Sequence, residues 1–150
     1  MKFLSKLTFA ILLCLTTAAS YSQASQPKPK IFDNFPGTID CAVSEFANVF
    51  SAAEGQHVVM SFSNNFKFTG RIISNVVKYS NLQTVTIRSD NSEQTIFHLS
   101  KQTNPDNTVS YIGRIMNSGA ADGYQVKRDM SGNYQFEKVD AEKILQDCHL

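Results

Sequence analysis

Apolar residues change their period twice along this chain. From Ile39 to Ala53 they recur at helical spacing, as Ile39, Ala42, Val43, Phe46, Val49, Phe50 and Ala53, with Ser44, Glu45, Asn48 and Ser51 on the other side. Thr38 or Asp40 offers an N-cap and Gly55 a C-cap, so the pattern predicts an amphipathic helix of about four turns. From His57 to Val139 the period falls to two and turn residues punctuate the run. Strands are expected at His57–Ser63, Phe66–Tyr79, Leu82–Ser89, Gln94–Lys101, Thr108–Asn117, Gly123–Asp129 and Tyr134–Val139. Within Phe66–Tyr79 the apolar phase slips near Ile73-Ser74, which predicts a bulge or bend. Asp140 then caps a short helix whose stripe holds Ala141, Ile144, Leu145 and Cys148.

Connections this short join neighbouring antiparallel strands. The expected fold is therefore α+β: an N-terminal amphipathic helix, an antiparallel meander of about seven strands, and a short C-terminal helix. A strongly twisted open sheet and a partly closed barrel both satisfy this pattern.

Sorting each strand by face separates two surfaces. One collects Phe66, Phe68, Ile72, Val85, Ile87, Phe97, Leu99, Val109, Tyr111, Ile115, Tyr124, Val126, Tyr134 and Phe136, and is the expected core. The opposite face carries Thr and Gln together with Arg71, Arg88, Arg114 and Lys127, and sets Ile96, His98 and Ile112 near its centre. A solvated sheet face accounts for most of this composition. The sharper reading is a cationic binding surface made of Arg71, Arg88, Ile96, His98, Ile112, Arg114 and Lys127, for an exported protein, a glycan or a lipid head group. The short C-terminal helix, laid over Ile96 and Ile112, would bury that surface instead.

The N-terminus adds a compartment. Lys2 and Lys6 precede an apolar run, Leu7–Leu15, and a small-residue stretch, the layout of a secretory signal peptide over residues 1–24. That run is shorter than the ~20 residues a bilayer span needs, and no later run is long enough to anchor the chain. The expected location is secreted or periplasmic. Residues 25–37 (Ser25 to Gly37), with alternating prolines, read as a flexible tether and lead-in, and residues 38–150 as a single domain. Loss of Lys2 and Lys6 takes the formal charge from +1 to about −1, which gives no basic excess for nucleic acid. Loss of Cys14 leaves Cys41 and Cys148, an even pair in an oxidising compartment, and predicts a disulfide between them. It would close a loop of about 100 residues, for which chain entropy sets an upper contribution of roughly 4–5 kcal/mol.

Candidate chemistry is sparse. His57, His98 and His149 fall in no HExxH, CxxC, GxSxG, Walker or Rossmann pattern, and the carboxylates show no paired spacing. His98 and Ser100 share a strand face but sit ~7 Å apart, too far for a nucleophile–base bond. Asp90-Asn91-Ser92-Glu93 and Asp106-Asn107 are turn formers without a calcium-loop pattern. No metal and no cofactor is implied. Gln56-His57-Val58-Val59-Met60 is similar to the QxVxG loop of the cystatin protease inhibitors at two of three positions but lacks the glycine, so no family is assigned. The expectation is a non-catalytic exported binding domain. Its alternatives are an inhibitor or pro-domain-like partner of an exported hydrolase, and a carrier of a small apolar ligand inside the curved sheet.

Overall fold

The computed structural model describes residues 27–63 and 65–146. The expected signal segment and Cys148 lie outside the described residues. Eight antiparallel strands form one sheet in the order β1-β8-β7-β6-β5-β4-β3-β2, a nearly closed barrel. Strands β2 (His57–Ser63), β3 (Phe66–Tyr79), β4 (Leu82–Ser89), β5 (Thr95–Thr103), β6 (Val109–Asn117), β7 (Asp122–Arg128) and β8 (Tyr134–Asp140) form the expected meander. The slip in β3 is a bulge: Ile72 pairs with Ile87 and Ser74 with Thr86, leaving Ile73 between them.

The main departure is at the start. The expected helix over 38–53 is instead a strand, β1 (Thr38–Cys41), followed by a seven-residue helix, α1 (Val43–Val49). Ile39 suits either period, but with Cys41 it makes an i,i+2 pair, and both are buried while Thr38 and Asp40 face out. The meander leaves β8 with an open edge, and β1 pairs along it from Thr38↔Glu137 to Cys41↔Tyr134. Ladder hydrogen bonds thus settle a local pattern that is ambiguous by itself. Ala42 and Val43, expected in the helix stripe, are exposed as a result. Gly55 does adopt a positive φ of 84°, but it lies past the helix end and turns the chain into β2.

α1 delivers its apolar side to the inside of the barrel. Phe46 is fully buried, with the rings of Phe62, Phe97, Tyr111, Tyr134 and Phe136 at centroid distances between 5.6 and 6.4 Å. The expected core face is buried throughout except Val109, which is 42% exposed where β6 begins. The carbonyls left open at the end of α1 are met from the sheet. The Asn75 side-chain amide donates to Phe50 O and Ala52 O at 3.1 and 2.8 Å, and that of Gln83 donates to Phe50 O at 3.0 Å. At the seam where β1 and β2 lie side by side without a ladder, Glu45 on α1 accepts the Ser61 N–H of β2 at 2.9 Å.

Two glycines let the wall bend this far. A Cβ on Gly70 would sit 2.2 Å from Arg88 O, and one on Gly113 would sit 2.7 Å from His98 O, both backbone atoms.

The segment expected as a tether is held against the barrel from Lys28 on. Lys28 Nζ donates to Ser118 O, Ala121 N–H to Pro29 O, and the N–H groups of Ile31 and Phe32 to the buried carboxylate of Asp122 at 2.8 and 3.0 Å. Tyr124 donates its hydroxyl to Pro36 O at 2.5 Å, and Phe32 is buried. Prolines lack an N–H but keep a carbonyl acceptor, so a Pro-rich strap can still be bonded down. The closing helix, α2 (Ala141–Gln146), packs on β7 and β8, with Asp140 Oδ1 accepting the Lys143 N–H at 3.4 Å. Among the described residues no helix is long and apolar enough to cross a membrane.

Candidate functional site

The outer faces of β5 and β6 set side chains in register. Ser100 stands opposite Ile112, His98 opposite Arg114, and Ile96 opposite Met116. Directly opposed side chains start ~5 Å apart at Cβ, so these six form one surface. They line a groove of about 350 Å³ with the backbone of Gly113 at its floor. Four of the seven residues expected from the sequence, Ile96, His98, Ile112 and Arg114, therefore meet at one place. Ile112 is 59% exposed, because α2 lies against β7 and β8 and leaves it uncovered.

The electrostatics of the groove follow from what is missing around the arginine. Among the described residues Arg114 has no ion pair, and no carboxylate lines the groove. Its cross-strand neighbour His98 contacts Thr86 Oγ1 through Nδ1 at 3.1 Å, and its other strand neighbour is Gln125. The row Thr86–His98–Arg114–Gln125 thus sets one fixed positive charge among side chains that can each supply a hydrogen-bond donor.

The other three expected residues sit elsewhere. Lys127 is paired with Glu137 of β8 at 2.6 Å, so its charge is answered within the sheet. Arg71 donates Nη1 to Gly55 O at 2.7 Å, on a different part of the wall. Arg88 stands opposite Ile96 and borders the groove, but it also lines a separate depression with Arg71, Asp90 and Glu93.

Sequence reasoning missed Met116, although its parity with Ile112 and Arg114 on β6 was available. It also missed Glu137, whose outward position follows from the inward Phe136. A second groove of about 440 Å³ shares Ile96, Arg114 and Met116 and runs on to Ala120, Ala141 and Ile144. Only the three-dimensional path of α2 brings Ile144 there.

One close polar pair could suggest catalysis. His57 Nε2 and Asp90 Oδ2 are 2.6 Å apart, both about half exposed. Among the described residues no hydroxyl or thiol hydrogen-bonds to His57. The Thr86–His98 contact has a hydroxyl but no carboxylate orienting the other ring nitrogen. Cys41 is buried in β1, where desolvation above all pushes its thiol up to about 12, so it is protonated at neutral pH and a poor nucleophile. Among the described residues Cys41 is unbridged; its expected partner Cys148 lies outside them. No group of three or more His, Cys, Asp or Glu able to hold a metal occurs among the described residues.

Comparison with known proteins found no matching family model, no similar curated protein and no similar solved structure.

Proposed function

We propose that the protein is an exported, non-catalytic binding domain that holds an anionic partner on the outer face of β5 and β6. The observation that carries this reading is Arg114, unpaired among the described residues, beside His98 in a groove whose walls include the exposed Ile112. A guanidinium with no internal carboxylate is free to pair with a carboxylate, sulfate or phosphate, and the adjoining apolar side chains strengthen that pair by excluding water. Export rests on the signal-peptide pattern of the first 24 residues. The ring packing around Phe46 fills the inside of the barrel and favours a ligand on its outside.

The test is a binding panel with the purified protein, using polyglutamate, a sulfated polysaccharide and anionic vesicles beside uncharged counterparts. At least one anionic probe should bind, and the double charge reversal Arg88→Glu, Arg114→Glu should abolish that binding with the circular dichroism unchanged. Binding that survives the reversal, or no anionic probe bound at all, refutes the reading.

A further inference from the structure

The groove over β5 and β6 does not end at Met116. It continues into the second groove, with Ile96, Arg114 and Met116 common to both. Along this path an apolar stripe joins the polar row. The row Thr86–His98–Arg114–Gln125 is polar and able to donate. The next row holds Ile96 and Met116, with Arg88 opposite Ile96. Beyond it Ala120, Ala141 and Ile144 form an apolar side of a groove that Lys28, Gln94, Asn117 and Ser118 also line. Among the described residues no carboxylate lines either groove. Each volume, about 350 and about 440 Å³, lies within the size range of small-molecule sites.

A cationic row and an apolar stripe, joined on one continuous surface, match a ligand with a charged head and an apolar chain. We propose that the partner is a single-chain anionic amphiphile, such as a fatty acid. Its head group is held between His98 and Arg114, and its chain lies over Ile96 and Met116 toward Ile144. This rests on the reading of the β5–β6 face as an anion-binding surface and adds the class of the ligand. Three features of the site enforce that class. The Arg114 guanidinium pairs more strongly with an anionic than with a neutral head group. Ile96 and Met116 start one residue pair away from His98 and Arg114, a spacing that a head group joined to its own chain spans. The second groove is walled on one side by α2, which gives the chain contacts that a flat sheet face does not.

The experiment is a calorimetric and NMR titration of the purified protein with laurate below its aggregation concentration. Glycerol monolaurate serves as the uncharged equivalent and polyglutamate as the chainless anion. Laurate is expected to bind saturably at one site, shifting the methyl signals of Ile96, Met116 and Ile144. Arg114→Gln should weaken laurate at least tenfold. Ile144→Asp should weaken laurate by a similar factor while leaving polyglutamate binding unchanged, which separates loss of the chain groove from loss of the fold. Arg114-dependent binding of polyglutamate with no binding of laurate overturns the amphiphile and keeps the anionic face. Monolaurin binding as tightly as laurate overturns the role of the head-group row. Failure of both anions overturns this inference, and failure of the sulfated polysaccharide and the anionic vesicles as well overturns the reading beneath it.

Discussion

At the scale of single residues, the fold depends on a few side chains with many neighbours and on glycines with no room to grow. Phe46 belongs to a seven-residue helix, too short to be stable by itself, and joins that helix to five rings of the barrel. Phe46→Ala should cost about 3–5 kcal/mol in chemical denaturation, the range for deleting a buried aromatic ring. Gly70→Ala places a Cβ against the Arg88 carbonyl, which belongs to the backbone and cannot turn aside. It should cost about 1–3 kcal/mol by overpacking, and the loss should appear in the same denaturation midpoint. Glu137 supplies a pH test. Its carboxyl is held below the ordinary range chiefly by the hydrogen bond from Lys127, so the folded form binds its proton less readily than the unfolded chain does. The associated stability is present above the ordinary glutamate range and is lost as pH falls through the lowered folded value. Glu137→Gln should therefore lower stability modestly at neutral pH, change little at low pH, and so flatten the acid limb of the stability–pH profile; an unchanged acid limb would remove the Lys127–Glu137 pair from the account.

Elements formed where side-chain period and chain connectivity agree. The bounds of β2, β3 and β4 could be read from Val58, Met60, Phe66, Phe68, Ile72, Val85 and Ile87 together with their turn residues, because alternation over six or more positions leaves little choice of face. Residues 38–42 were not legible in this way. Ile39, Ala42 and Phe46 satisfy a helix and Ile39 with Cys41 satisfies a strand, and the deciding factor, the open edge of β8, lies about a hundred residues away. The cap on α1 was hidden for the same reason. Asn75 and Gln83 look like ordinary polar positions of a hairpin until the bulge at Ile73 turns them toward the helix end. Removing both, as Asn75→Ala with Gln83→Ala, leaves the Phe50 and Ala52 carbonyls without these donors. Amide exchange across α1 should accelerate at least tenfold while the β5–β6 amides stay protected. Uniform acceleration across the molecule would instead mean that α1 and the barrel open as one unit.

For the whole molecule, the barrel separates a packed interior from a polar outer face. Aromatic rings fill its interior, a Pro-rich strap is bonded to one end, and α2 packs on β7 and β8 rather than on Ile112. What remains outside is a face whose charges the fold treats differently. Lys127 is answered by Glu137 and Arg71 by the Gly55 carbonyl, whereas Arg114 has no ion pair among the described residues. The central part of the candidate surface was legible in the sequence because Ile96, His98, Ile112 and Arg114 share strand parity. Its outer members were not, because pairing with Glu137 and the path of Arg71 depend on neighbours that parity does not reveal. The most direct measurement is an NMR titration of the purified protein at low ionic strength with polyglutamate and, separately, a sulfated oligosaccharide and laurate, mapped residue by residue for whichever anion binds. The account predicts saturable shifts centred on His98 and Arg114 that fade as added salt screens the charges. Shifts centred on Arg71 or Lys127, or none that saturate, would contradict it.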